Sequence, residues 1–335
     1  MDGNCMHKMF VDFTKTIFTL FIVCNSAWAQ LTPEQEEARS QGLFFLNMIK
    51  SAKASPFLEI SAEAGDTESQ YYLAEILRRN QKVITPKAQE LYEAAAEKGD
   101  IYAMMRLSDK GDDLCHIMEN CPPDIKIPQQ WSEAARALAK ERASQGDVEA
   151  MYQLFLLTGK FDWLTMAAES GFPRAQYRLG GIYEDGFGTF LIPGNRKKEI
   201  EKWYKASAEG GYPPGMNSYA DLLNKRGDRQ GYGYWIEQSA KAGHFSAMSG
   251  YAAWTAHMPD EVGYPLDLVK AYGLTLLMAE ADPGRGPSSP GYGGQVLPKV
   301  AAKMTAEQIE AGKAYAKEWA KTHPPLSRFP PKYGY

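Results

Sequence analysis

Residues 175–188 read AQYRLGGIYEDGFG, and residues 203–211 read WYKASAEGG. In the first stretch Ala175 and Leu179 are four residues apart, which places both side chains on one face of a helix. The small alanine side chain lets the backbone of a second helix approach closely. In the second stretch an alanine-rich helical run ends at Gly211, and glycine can take the left-handed conformation that closes a helix. Together the two stretches predict one helical hairpin.

Related segments lie on both sides of this unit, each with a glycine where one helix is predicted to end and the next to begin. The predicted repeat turns are Gly65, Gly99, Gly146, Gly171, Gly211 and Gly243. Three of them are followed by Asp66, Asp100 and Asp147, which can accept hydrogen bonds from the free amides of the next helix. A lone hairpin cannot bury its apolar face, whereas stacked hairpins can. The repeats therefore predict an all-α fold built as an α-solenoid.

The unit at residues 175–211 resembles the Sel-one-like repeat family, a branch of the tetratricopeptide-like solenoids. Members of that family share Ala-x-x-x-Leu-Gly-x-x-Tyr, a Gly-x-Gly turn and an Ala-Glu-x-Gly close, all of which are present here. The resemblance implies a right-handed α-solenoid of helical hairpins with a C-terminal capping helix. The repeat glycines are unevenly spaced, so the register and curvature stay open.

The expected organisation has five parts. They are a signal peptide at 1–29, an N-terminal helix or cap at 30–54, the repeat solenoid at 55–280, a Gly/Pro-rich loop at 281–303, and a capping helix with its tail at 304–335. Thr305 and Gln308 form a capping-box pattern at the start of the last part. The Gly/Pro-rich stretch is either a connection or a loop that touches a partner.

The N-terminal residues have the pattern of a secretory signal peptide. Lys8 and Lys15 precede a short apolar run at residues 16–23, and small residues follow at Ala27 and Ala29. The run is shorter than the roughly 20 residues of a membrane span. We expect cleavage after Ala29 and a soluble periplasmic protein, with a retained N-terminal anchor as the alternative.

Cysteine usage is consistent with export. Two of the four cysteines lie in the predicted signal peptide, and Cys115 and Cys121 remain close together in the mature chain. In an oxidising compartment such a pair predicts a local disulfide. The alternative is a metal site formed by these cysteines with His116 and Glu119.

No catalytic or cofactor motif stands out in the sequence. A nucleophile elbow, a zinc-binding His-Glu-x-x-His helix and a phosphate-binding loop are all missing. The net charge of -4 argues against a nucleic-acid partner. We therefore expect a protein without catalytic activity, cofactor or metal ion, whose partner is another protein.

Solenoids bind partners along an extended surface, and the third and seventh positions after the small residue of each first helix are candidates to line it. These positions hold Tyr72, Arg106, Lys110, Gln153, Arg178, Ile182 and Trp254. Ile182 and Trp254 are expected to pack between repeats rather than to contact a partner. Arg106 and Arg178 are the favoured contacts, because arginine is enriched at binding hot spots and is hard to bury unpaired.

The function that this resemblance implies is protein binding in the bacterial envelope. Exported solenoids with degenerate Sel-one-like repeats resemble immunity proteins found beside type VI secretion lipase effectors. The specific expectation is a periplasmic immunity protein that neutralises a secreted phospholipase-type effector. The alternatives are an envelope scaffold or regulatory adaptor and, as a third class, an amide hydrolase.

Overall fold

The computed structural model describes residues 30–109, 118, 126–286 and 288–333. Within these ranges every regular element is an α-helix, apart from two isolated β-bridges. The expected all-α fold is therefore confirmed. The predicted signal peptide, the pair Cys115 and Cys121, and Lys110 lie outside the described residues.

The described part of the chain contains sixteen helices. They are α1 Pro33–Asn47, α2 Ser51–Glu63, α3 Thr67–Gln81, α4 Pro86–Glu97, α5 Ile101–Leu107, α6 Pro128–Ser144, α7 Val148–Thr158, α8 Phe161–Glu169, α9 Pro173–Glu184, α10 Asn195–Glu209, α11 Pro213–Lys225, α12 Arg229–Lys241, α13 Phe245–Thr255, α14 Leu268–Ala281, α15 Tyr292–Ala301 and α16 Ala306–Thr322. From α1 to α15 each helix packs against the next one in the chain, and α16 packs against α14. This sequential packing is the arrangement of a helical-hairpin solenoid. No helix in the described ranges combines the length and the apolar character needed to cross a membrane.

The six repeat glycines all lie between the end of one helix and the cap of the next. Their φ angles fall between 84° and 90°, a left-handed conformation that favours glycine. Asp66, Asp100 and Asp147 cap the following helices by accepting from the amides of Ser69, Ala103 and Ala150. The sharp reversal at each turn brings consecutive helices side by side.

Small residues in the first helix of each hairpin allow the close helix contacts. Ala103, Ala150 and Ala175 are completely buried, as are Leu154 and Leu179 one turn later. Serines on the second helices add hydrogen bonds to the first helix of the same hairpin. They are Ser207 Oγ to the carbonyl of Pro173 at 2.7 Å and Ser239 Oγ to the carbonyl of Pro213 at 3.1 Å.

The structure differs from the expected organisation at both ends. The first hairpin, α1–α2, begins at Pro33 and continues past residue 54. The predicted loop at 281–303 contains α15, although Gly293, Gly294 and Pro298 lie within that helix. A Cβ atom on Gly293 would lie 2.3 Å from the backbone nitrogen of Ala279, so the missing side chain is what lets α15 pack on α14.

The capping box at Thr305 and Gln308 begins α16. After α16 the chain turns back along the molecule. Residues 324–333, here called the return segment, have no helical structure and contact both the last and the first hairpins.

Candidate binding surface

Four tyrosines from successive repeats lie near one arginine. Tyr72 lies in α3, Tyr102 in α5, Tyr152 in α7 and Tyr212 directly before α11, while Arg174 lies in the first turn of α9. Each tyrosine interacts electrostatically with the Arg174 guanidinium. We call these five residues the tyrosine cluster. Its members come from four first helices and a repeat turn, so stacking of the hairpins is what brings them together.

The tyrosine hydroxyls of the cluster remain protonated. Burial is the largest cause that raises the pKa of all four groups above the usual tyrosine value. Glu149 also raises the pKa of Tyr102, whose hydroxyl donates a hydrogen bond of 3.0 Å to that carboxylate. The cluster therefore offers phenol O–H groups and aromatic faces around one guanidinium.

Arg174 keeps its charge without an ion pair. Burial is the largest influence and lowers its pKa, but Tyr212, Tyr102, Tyr152 and the carboxylate of Glu149 raise it, and the net direction is upward. The guanidinium lies 6.0 Å from the centre of the Tyr212 ring. In the described residues no carboxylate lies within ion-pair distance of it. Arg174 directly precedes the small residue Ala175, so it was not among the positions predicted to line the surface. A basic residue just before the small position is the sequence signal that could have identified it.

Arg178 lies one turn further along α9 and is exposed. With Phe161, Ile182, Phe187 and Gly188 it lines a surface cleft of about 380 Å³, here called the Arg178 cleft. Burial raises the pKa of Tyr152 overall, and the guanidinium groups of Arg174 and Arg178 both oppose that rise, so Arg178 lies near this member of the tyrosine cluster. No carboxylate of the described residues pairs with Arg178 either.

The apolar wall of the Arg178 cleft is held in place by Arg196. Its guanidinium donates to the carbonyls of Tyr183, Phe187 and Gly188 at 3.1, 2.6 and 2.9 Å. Phe187 is thereby fixed with 67% of its surface exposed. A large aromatic side chain held open to solvent is typical of a contact surface.

Arg106, the other favoured contact, lies in the interior instead. Only 6% of its surface is exposed, and it donates to both carboxylate oxygens of the fully buried Glu75, at 2.6 and 3.0 Å. Tyr92 donates to the same carboxylate at 2.5 Å. Arg106 is therefore satisfied within the protein. Arg106 was expected at the surface because arginine is hard to bury unpaired, but Glu75, 31 residues earlier in the chain, is its partner in the interior.

Of the remaining candidates in the described residues, two are buried and two are half-buried at the surface. Gln153 and Trp254 are buried, and Trp254 packs against Tyr232 and Tyr264 with ring centroids 5.0 and 6.3 Å away. In this conformation neither is open to a partner. Tyr72 is half-buried in the tyrosine cluster, and Ile182 is half-buried at the edge of the Arg178 cleft. Of the candidates in the described residues, Tyr72, Arg178 and Ile182 are thus the ones that are not buried, and Arg178 and Ile182 line the same cleft.

The histidines of the described residues are not arranged as a metal site. In those ranges no group of three or more His, Cys, Asp or Glu side chains is placed to hold a metal ion. His244 caps α13 by accepting from the amide of Ala247 at 3.3 Å. Burial, followed by the nearby Arg328, lowers the pKa of His244 to about 4, so this imidazole is neutral. The predicted disulfide and its metal alternative fall on residues that the structure does not describe.

Comparisons with known proteins gave matches at the level of structure only. No protein-family model and no curated protein matches the sequence. The chain is similar to a protective antigen present in uropathogenic Escherichia coli strains that displays an SLR fold, with 20% identity and a TM-score of 0.43 over 85% of this chain and 61% of that one. It is also similar to a Sel1 repeat protein from Oxalobacter formigenes, with 18% identity and a TM-score of 0.40 over 86% and 84% of the two chains. The chain spans less than two thirds of the first of these proteins, and its own helix packing is what establishes its fold.

Proposed function

We propose that this chain is an exported, non-catalytic solenoid that binds a protein partner through the tyrosine cluster and the Arg178 cleft. The observation that supports this most strongly is the pair Arg174 and Arg178, neither of which forms an ion pair with a carboxylate of the described residues. Arginine and tyrosine are the side chains most enriched at binding hot spots, and here they adjoin an exposed Phe187. A partner with a carboxylate beside an apolar side chain would complement this surface.

The partner we propose is a secreted phospholipase-type effector, and the chain would act as its periplasmic immunity protein. The signal-peptide pattern and the resemblance to exported Sel-one-like repeat proteins support this assignment. Inhibition would follow from steric coverage, since a solenoid surface can enclose the active site or the membrane-binding face of the toxin. Such a mechanism needs no catalytic group in this chain.

Co-purification with the product of the adjacent gene tests the proposal, together with survival of cells that carry that toxin in the periplasm. A stable complex and full protection are expected. A complex without protection, beside cell-wall or signalling genes, would favour an envelope scaffold. Turnover of ester or amide substrates by the pure protein would contradict the non-catalytic assignment.

Two alanine variants locate the surface within that experiment. Arg174→Ala and Arg178→Ala are each expected to weaken the complex by about 2 kcal/mol, or roughly 30-fold in Kd, as is usual for arginine hot spots. The matched control is Arg136→Ala on α6, an exposed arginine on the second helix of a hairpin. Equal effects of all three variants, measured by calorimetry, would place the interface elsewhere.

A further inference from the structure

The return segment is bound to the solenoid through both its backbone and its side chains, with Phe329 in a left-handed conformation at φ 51°. Ser327 donates its amide to the carbonyl of Gly243 at 2.8 Å and accepts from the amide of Phe245 at 2.9 Å. These two bonds form an isolated parallel bridge at His244. The backbone of the segment thus pairs with a repeat turn, as an added strand pairs with a sheet edge.

The next two side chains occupy the space between the last hairpins and the first. Arg328 pairs with Asp282 at 2.9 Å, and its guanidinium lies 4.3 Å from the centre of the Phe245 ring. Its amide donates to the carbonyl of Asn47 at the end of α1. The ring of Phe329 packs between Tyr212, a member of the tyrosine cluster, and the imidazole of His244.

Lys332 occupies a site that is complementary to a cation. Its ammonium lies 3.0 Å from Asp100 Oδ2 and 4.7 and 5.3 Å from the ring centres of Tyr102 and Tyr71. The hydroxyl of Tyr71 donates to the Lys332 carbonyl at 2.7 Å. One carboxylate, two aromatic faces and a hydrogen bond to the peptide backbone together recognise a basic residue in an extended chain. We call this the lysine seat.

Tyr333 follows directly and supplies an aromatic platform. Its ring lies 4.3 Å from the guanidinium carbon of Arg106 and packs on the core of the first hairpins. Arg106 is already paired with Glu75, so the stacking uses the face of the guanidinium rather than its N–H groups. This end of the surface is therefore also complementary to an aromatic residue that directly follows the basic one.

Charge is complementary at two points of this contact, and Lys50 of the solenoid shares Asp282 with the return segment. The chain after Glu318 contains no acidic residue, although the protein carries a net charge of -4. The solenoid side contributes Asp282 and Asp100, and both pair with basic residues of the return segment. Between these two ion pairs the segment has Pro330 and Pro331, which favour an extended chain with little entropy to lose on binding.

We propose that the surface beneath the return segment is a peptide-binding groove, occupied in the free protein by the chain's own residues 327–333. An extended segment of the protein partner, with a lysine or arginine followed by an aromatic residue, takes the lysine seat and displaces the chain's own tail. This inference rests on the proposed protein-binding function and adds the location and chemistry of a second contact. The chain's own residues 327–333 then compete with the partner segment for the groove.

The probe for this groove is a fluorescent peptide of residues 324–335. It is titrated into the intact protein and into a full-length variant carrying Arg328→Ala, Phe329→Ala, Lys332→Ala and Tyr333→Ala, whose fold is checked by circular dichroism. The peptide is expected to bind the four-alanine variant at least ten times more tightly than the intact protein. Lys332→Ala alone, which leaves the other anchors in place, is expected to give an intermediate affinity.

Asp100→Asn tests the lysine seat inside the four-alanine variant. Asparagine still caps α5 but removes the charge, so peptide affinity is expected to fall about tenfold. Asp147→Asn makes the same change at the cap of α7, where Asp147 has no hydrogen bond or ion pair with the described part of the return segment, and is expected to leave affinity unchanged. Equal effects of the two substitutions, or equal peptide binding by the intact and four-alanine proteins, would overturn the proposal.

Three further outcomes distinguish this inference from alternative explanations. A dimer of the intact protein that the four-alanine variant loses would assign the segment to a second copy of the chain and overturn the internal site. If the effector binds both forms of the protein with the same affinity, the groove is not a partner site, while the proposed function itself stands. Failure of the effector to bind at all, with the peptide still bound, would remove the proposed function and leave the groove.

Discussion

At the scale of single residues, the buried charge of Glu75 is paired, whereas two arginines of the proposed binding surface form no ion pair in the described residues. Glu75 is completely buried and accepts from Arg106, Arg78 and Tyr92. Arg174 and Arg178 have no comparable partner in the described residues. The same residue type thus has a structural role at one position and an available charge at another.

Removing one member of the buried pair should unfold part of the molecule. Arg106→Met keeps the side-chain volume but leaves the Glu75 carboxylate without its main partner, which costs about 3–5 kcal/mol for a buried pair. A double variant, Glu75→Gln with Arg106→Met, removes both charges and should recover most of that loss. Urea unfolding measures both. Equal stability of Arg106→Met and the intact protein would contradict the buried pairing.

His244 should make stability depend on pH. Its pKa of about 4 in the folded protein lies below the value of about 6.5 expected in the unfolded chain. The unfolded state therefore binds more protons between these values, and the free energy of unfolding falls as the pH decreases through that range. The loss at pH 5 relative to pH 7 should be about 2 kcal/mol.

His244→Asn isolates this contribution, because asparagine can also cap α13 but does not titrate. The part of the pH dependence that comes from His244 is expected to disappear in urea titrations of the variant at pH 7 and pH 5. An unchanged difference between the two pH values would show that other groups cause it.

At the scale of helices, most elements follow from local rules. Gly99 and Asp100 end one helix and begin the next through their own conformation and cap, so the sequence pattern was enough to place them. Helix α15 was not predicted, because its glycines and proline have low helix propensity. Close packing of Gly293 on the backbone of α14 outweighs that propensity.

Two adjacent glycines in α9 provide a matched test of the packing between first and second helices. A Cβ atom on Gly180 would lie 2.8 Å from two ring carbons of Tyr204, whereas on Gly181 the nearest atom is the Tyr204 hydroxyl at 3.6 Å. Gly180→Ala should therefore destabilise the protein by about 1–3 kcal/mol through overpacking. Gly181→Ala should stabilise it by about 0.5–1 kcal/mol through helix propensity.

Thermal unfolding of the two variants measures this difference in stability directly. A lower Tm for Gly180→Ala and a higher Tm for Gly181→Ala are expected. Shifts of the same sign would mean that α9 and α10 do not pack as closely as described.

At the scale of the whole molecule, the return segment joins parts of the chain that no local pattern connects. Lys332 and Asp100 are 232 residues apart, and Arg328 reaches both Asp282 and the end of α1. The all-α class and the repeat turns could be predicted from periodicity and glycine placement. The tyrosine cluster, the partner of Arg106 and the course of the return segment could not, because each depends on how far the stack of hairpins curves.

Hydrogen exchange of the protein alone and in complex with its effector tests the proposed surface most directly. Partner binding is expected to protect α7 and α9, around Tyr152, Arg174 and Arg178, and to increase exchange at residues 327–333 as the return segment leaves its groove. Protection confined to the second helices α8, α10 and α12, with residues 327–333 unchanged, would contradict both the binding surface and the displacement.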